Sequence, residues 1–246
     1  MSSPSRALPS SRPAAVVGSL LLASALLTSL GGCHRRRWVR RAHPKSVVAA
    51  EANAVGEVAA VAGHLGVSRA LPAPLIDGEV NEPVWPSAAA RSGAFLDDAG
   101  KQARPYSDAR FLWSDGALDL VLYAADEDVE AATDMFTVVL IANGKRATYQ
   151  VGPKGLVAAA NRDPVSAAML AGAKFGVDLD GTPDAPDDDD EEWVIESSLP
   201  LAPLGLVGKP GETLQVAIER CDTPKKSVRA CAHFGTESAP KTLVLR

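Results

Sequence analysis

Histidine is almost missing from the main body of this chain. Of four in 246 residues, His34, His43 and His64 lie near the amino terminus and only His233 lies beyond residue 70, so any histidine-dependent mechanism must run through that one side chain. The compact signatures of catalysis are missing too: there is no phosphate-cradling Gly-rich loop ending in Lys-Ser/Thr, no HExxH zinc pair and no GxSxG elbow. Cysteine is scarce, with Cys33, Cys221 and Cys231 alone, and nothing supplies the further thiolate or imidazole ligands of a zinc site. Aromatic residues make up 5% of the chain, and its tyrosines are Tyr106, Tyr123 and Tyr149. Positive charge is lacking from residue 70 onward, where 16 Lys+Arg stand against 28 Asp+Glu, a formal charge of −12. That balance excludes a nucleic-acid binder.

Against these absences, the amino terminus is rich in signals. Basic Arg6 and Arg12 precede a stretch free of charge from Pro13 to Leu30, the layout of a secretory signal. The stretch ends in Leu30-Gly31-Gly32-Cys33, which resembles the lipobox of bacterial lipoproteins and implies cleavage before Cys33 with a lipid on its thiol. The alternative is an uncleaved anchor, since Arg35, Arg36, Arg37, Arg40 and Arg41 follow the apolar stretch and positive charge is normally kept cytoplasmic. Against it, Gly18, Ser19, Ser24, Thr28 and Ser29 interrupt an already short stretch. A lipid chain plus an arginine patch makes a two-signal membrane anchor, each basic residue adding about 1 kcal/mol at an anionic surface. His34 after the cysteine, where an inner-membrane lipoprotein commonly carries Asp, directs the expectation to the outer membrane. The sequence thus divides into a signal over residues 1–32, a basic, Ala-rich stalk over 33–70, and a globular part over 71–246.

In the globular part the apolar residues recur with period two. Ala109, Phe111 and Trp113 alternate with Asp108 and Arg110; Leu118, Leu120, Leu122 and Ala124 alternate with Asp119 and Tyr123; Leu214, Val216 and Ile218 alternate with Gln215 and Glu219. Met135 to Ile141 is apolar at almost every position, as in a central strand covered on both faces. Ser114-Asp115-Gly116, Asn143-Gly144-Lys145, Gly152-Pro153-Lys154-Gly155 and Lys209-Pro210-Gly211 punctuate these segments as turns. Short strands, regular turns and no long amphipathic helix after Gly66 predict an all-β, antiparallel sandwich. Cys221 and Cys231 flank a Pro- and Lys-containing loop; in an oxidising compartment they close it as a disulfide, the alternative being two buried thiols.

Longer stretches carry a family resemblance. Leu75-Ile76-Asp77-Gly78-Glu79-Val80-Asn81-Glu82-Pro83-Val84-Trp85 resembles the opening signature of the family 9 carbohydrate-binding modules. Val177 to Asp184, Asp187 to Asp190 and Trp193-Val194-Ile195-Glu196-Ser197-Ser198-Leu199-Pro200-Leu201 resemble that family's later Asp-rich and Trp-containing signature, and Ser114 to Asp128 resembles the strand pair between them. Asn81 stands where an Asp is usual and Asp119 where a Tyr is usual. The resemblance implies a CBM9-like β-sandwich, a non-catalytic role, and carbohydrate as the partner.

Sugar recognition uses exposed aromatic planes with carboxylates and amides around them. Trp85 and Trp193 read as core, and Trp113 shares the face of Phe111, so it is core first and a platform second. Tyr106, Tyr123 and Tyr149, with Trp113, are the carbohydrate-binding candidates. No cofactor is called for except calcium, for which Asp184, Asp187 and Asp189 in the acidic run offer oxygen ligands; the alternative is a solvated loop. A glycosidase carboxylate pair cannot be picked out among so many acids. The leading expectation is a carbohydrate-binding-like module on a membrane-anchored lipoprotein of the cell envelope. The alternatives are an interaction lipoprotein that keeps the sandwich without sugar binding, and an accessory to, or part of, glycoside hydrolysis.

Overall fold

A computed structural model of the chain describes residues 63–157, 163–185, 189–223 and 228–246. Cys33, the signal, most of the stalk and Asp187 lie outside them. Two sheets face each other. One has the order β1 (His64–Val67), β12 (Lys241–Leu245), β10 (Thr213–Asp222), β5 (Met135–Ala142), β6 (Lys145–Gly152) and β7 (Gly155–Val157), with β11 (Ala230–Phe234) also pairing with β10. The other runs β2 (Ala90–Arg91), β3 (Ser107–Ser114), β4 (Ala117–Ala125), β9 (Glu192–Pro200), β8 (Lys174–Asp180). This is a β-sandwich, with two corrections to the sequence reading. The first strand already begins at His64, within the segment assigned to the stalk. It pairs with β12 in parallel, so the sandwich is not wholly antiparallel. The four-residue run His64-Leu65-Gly66-Val67 is too short to show a period of its own; its place is fixed by β12, which offers the partner edge.

The alternating residues meet between the sheets. Ala109, Phe111, Leu118, Leu120 and Leu122 from one sheet, and Phe136, Val138, Leu140, Val216 and Leu243 from the other, are fully buried. Strand β5 is central, but Met135, Thr137 and Ile141 on its outer side are only half-buried. Asp115-Gly116 and Asn143-Gly144 adopt positive φ at both positions (44° and 81°, 52° and 69°), the two-residue turn that matches strand twist, and so join β3 to β4 and β5 to β6.

A second, smaller core covers the outside of the β3–β4–β9 sheet. There Ala70, Trp85, Leu112 and Val121 are buried, with Val80, Val84 and Val194 packed around them. The short helix α1 (Val84–Ala88) carries Trp85 into this layer. A longer helix, α2 (Pro164–Gly172), starts where Asp163 accepts hydrogen bonds from the Val165 and Ser166 N–H groups and Pro164 presets the first turn. Its Ser166 hydroxyl accepts from Thr148 N–H at 2.8 Å, which ties it to β6.

Candidate functional site

A groove of about 840 Å³ opens at one end of the sandwich, where β1, β2, the loop leading to β3 and the β11–β12 turn converge. Tyr106, Asp108, Arg91, Asp98, His233 and Lys241 line it. The volume lies within the usual range for small-ligand sites, roughly 300–1,000 Å³.

Backbone pairing holds its walls. Leu96 N–H donates to the His233 carbonyl (3.0 Å) and His233 N–H returns the bond to Leu96 (2.8 Å), so the loop is strapped to β11. Asp97 closes the same loop by accepting from Ala99 and Lys101 N–H. The His233 ring stands 3.3 Å from the Asp98 carboxylate and 3.7 Å from that of Glu219. It lies on the lining of the groove.

Among the described residues, the aromatic member of the groove with a hydroxyl is Tyr106, whose OH donates to Asp108 at 2.8 Å. Burial, and then the Asp108 carboxylate, push its phenol above the ordinary value, so it remains a donor. Asp108 is itself buried, 3.7 Å from Arg110 Nε. Tyr123 lies beside Tyr106 on the neighbouring strand, with ring centroids 6.0 Å apart and tilted at 58°. Its OH donates to Glu192 at 2.5 Å, and burial, then this carboxylate, raise its phenol as well. The structure thus brings two of the four aromatic candidates together.

The other two are corrected. Tyr149 is 1% exposed and packs edge-on against Phe175, because its position on β6 faces inward between Ala147 and Val151. Trp113 is 3% exposed; its indole N–H donates to the Arg246 carbonyl at 3.0 Å and the Arg69 guanidinium lies over its ring. Neither presents a ring face to a ligand. On the outer face of β5, Met135, Thr137, Val139 and Ile141 supply no aromatic platform either.

Within the acidic run, Asp184 accepts from Ala131 N–H at 2.9 Å and meets the Lys154 ammonium at 2.6 Å, which holds its carboxyl below the usual range. Asp189 is exposed. The member of the run with a structural task is Asp190, which is buried and accepts from Thr182 and Val129 N–H. Cys221 and Cys231 sit opposite each other on β10 and β11 and are joined as a disulfide.

Two buried polar centres went unread in the sequence. Glu196, fully buried, accepts from Trp85 Nε1 (2.8 Å) and from the Gly78 and Asp77 N–H groups (2.9 and 3.1 Å). Burial pushes its carboxyl up to about 6. Near the end of β10, Arg220 forms a 2.8 Å ion pair with Asp126, which also accepts from Trp193 Nε1 at 3.1 Å, and Asp134 and Asp222 stand beside them. The signal for this centre was available: the period that turns Leu214, Val216 and Ile218 inward turns Arg220 and Asp222 inward too.

No protein-family model matches the sequence, and no curated protein does. Solved structures do. A family 9 carbohydrate-binding module from Caldicellulosiruptor kristjanssonii in complex with cellotriose aligns over 74% of this chain and 93% of its own, at 15% identity and a TM-score of 0.54. The same kind of module from that organism with glucose aligns over 74% and 95%, at 14% identity and a TM-score of 0.54. A Bacteroides uniformis protein provisionally assigned as carbohydrate-binding aligns over 75% and 99%, at 14% identity and a TM-score of 0.57. At such identity the likeness is one of fold: this chain has a CBM9-like β-sandwich.

Proposed function

We propose that the chain is a non-catalytic carbohydrate-binding module held at the cell envelope by a lipid on Cys33 and a basic stalk, facing the periplasm or the cell surface from the outer membrane. The observation that carries the sugar-binding reading is the Tyr106–Asp108 pair in the groove of a CBM9-like sandwich. A half-buried phenol, its hydrogen engaged by Asp108, offers a ring edge and an acceptor oxygen, and the acids, Arg91 and Lys241 around it offer hydrogen bonds to hydroxyl groups. Solved modules of this fold were captured with cellotriose and glucose, which makes glucose-based oligosaccharides the first ligands to try.

Affinity-gel retention and a glycan array with the full chain test this. Binding to at least one glycan is expected, and Tyr106→Ala should weaken it about tenfold, the equivalent of 1.4 kcal/mol, while leaving the circular dichroism spectrum intact. A chain retained on no glycan would overturn sugar binding. The second reading, an interaction lipoprotein that kept only the fold, draws on the burial of Trp113 and Tyr149, which leaves the groove poor in aromatic surface. Cys33→Ser, or inhibition of the lipoprotein signal peptidase, tests the anchor: both should leave the signal uncleaved and so increase the protein's size.

A further inference from the structure

We infer that the ligand is a glycan carrying free, protonated amino groups, of the glucosamine-polymer class, and that its amines are met beside the groove on the outer face of the β3–β4–β9–β8 sheet. The inference rests on the sugar-binding reading of the Tyr106 groove and narrows its ligand.

Strand register defines this face. In one row across the sheet stand Tyr106, Ala125, Glu192 and Asp180; in the next stand Asp108, Tyr123, Val194 and Asp178. The residues that alternate with them, such as Ala124, Trp193 and Leu179, pack into the core, so both rows point out of it. The leading segment covers the row beyond, over Val121 and Glu196. Tyr123, Ala125 and Val194 are only half-buried, and Asp180 is exposed.

The face accepts hydrogen bonds and does not donate them. The Tyr106 hydroxyl gives its proton to Asp108 and the Tyr123 hydroxyl gives its to Glu192, and burial with those carboxylates keeps both phenols protonated. Neither row contains a lysine or arginine, so what they present is carboxylate oxygen and tyrosine ring. Where the face meets the groove, Asp108, with a side chain 6% exposed, keeps one oxygen without a hydrogen-bond partner among the described residues, Arg110 Nε standing off at 3.7 Å. Charge is unbalanced as well. Glu192 and Asp180 are direct cross-strand partners, and like charges placed opposite each other destabilise a sheet.

A sugar hydroxyl can donate to these oxygens but neutralises nothing. An ammonium brings three donors and no acceptor, which matches a face that only accepts. It also relieves the Glu192–Asp180 repulsion, and the faces of the paired Tyr106 and Tyr123 rings attract it. At longer range the formal charge of −12 from residue 70 onward draws in a polycationic glycan and repels one built on uronic acids or phosphates. N-acetylation removes the charge and adds an acceptor to a face that has no donor for it, so the acetylated polymer fits poorly for the same reason.

The test uses the full chain in calorimetric titrations with hexasaccharides of glucosamine, N-acetylglucosamine and glucose in one linkage. With the amines protonated, the glucosamine oligomer should bind about tenfold more tightly than either neutral one, and added salt should shrink that advantage. Glu192→Gln with Asp180→Asn removes both charges and keeps an oxygen acceptor for Tyr123; it should bring the three affinities together, whereas Asp115→Asn, at the far turn of β3, should not. Equal affinity for the amino and acetylated oligomers overturns the inference, as does a preference that survives Glu192→Gln with Asp180→Asn. A lysine hexapeptide that binds as tightly as the glucosamine oligomer overturns it too, reducing the face to charge alone. These results leave sugar binding standing on the neutral oligomers; retention of no saccharide, amino or neutral, is the separate result that removes sugar binding and this inference together.

Discussion

The indole N–H of Trp85 and the carboxylate of Glu196, 111 residues apart in the chain, meet at 2.8 Å on the outside of the β3–β4–β9 sheet. The other oxygen of Glu196 receives the backbone N–H groups of Asp77 and Gly78. One buried carboxylate therefore clasps both the loop and the helix of the leading segment to the sheet. Two stretches that look separate in the sequence, Ile76-Asp77-Gly78 through Trp85 and Trp193 through Leu201, are halves of one device.

Glu196 makes the fold sensitive to pH in a defined direction. Burial lifts its carboxyl from 4.5 to about 6, so the protonated form is the one the fold prefers. Its contribution is fully present below about pH 4.5 and is lost as pH rises through about 6. The loss amounts to about 2 kcal/mol. Asp134, lifted to about 7 chiefly by burial, acts in the same sense. Urea unfolding in chelator between pH 4.5 and 7 should show this decline, and Glu196→Gln should lower stability throughout while flattening the decline.

Gly176 permits the clasp. A Cβ there would collide with the backbone of Asp77 and Gly78, and Gly78 itself, at φ 99°, lies against the backbone of Val177. Gly176→Ala should destabilise the domain by about 3 kcal/mol, at the upper end of overpacking changes. Unfolding curves followed by tryptophan fluorescence measure it, with Trp85 expected to gain exposure before the main transition.

The Cys221–Cys231 disulfide closes a loop spanning a sequence separation of 10. Such a closure stabilises by roughly 2–3 kcal/mol through the unfolded chain. A thiol assay on denatured, unreduced protein should find neither cysteine reactive. Replacing both by Ser should lower the urea midpoint accordingly.

Trp113 separates core from platform. Trp113→Ala should cost about 3–5 kcal/mol of stability and leave any glycan affinity unchanged, whereas Tyr106→Ala should do the reverse. Parallel thermal melts and affinity gels decide between the two assignments.

What the sequence made legible follows from which physics is local. Period-two alternation located β3, β4 and β10, and Asp115-Gly116 and Asn143-Gly144 located the β3–β4 and β5–β6 turns, because strand faces and positive-φ positions are set by near neighbours in the chain. Tyr149 was misjudged because it was one of the few aromatics left as a platform once the tryptophans read as core, although Ala147 and Val151 on either side place it inward. β1 went unread because its only warrant is β12, far away in the chain. The groove was legible only through Tyr106, since the Leu96–His233 strap and the β11–β12 turn that shape it are long-range relations no local pattern announces.

The parallel pairing of β1 with β12 also fixes which ends of these two strands lie at the groove. His64 starts its strand at the groove, beside Thr242, while Leu245 and Arg246 lie at the far end of the same two strands, where Arg246 N–H reaches the Val67 carbonyl. Residues joined before His64 therefore enter the described domain beside the groove, whereas Leu245 and Arg246 do not line it. A bulky fusion belongs on the carboxyl side, where it leaves the groove clear.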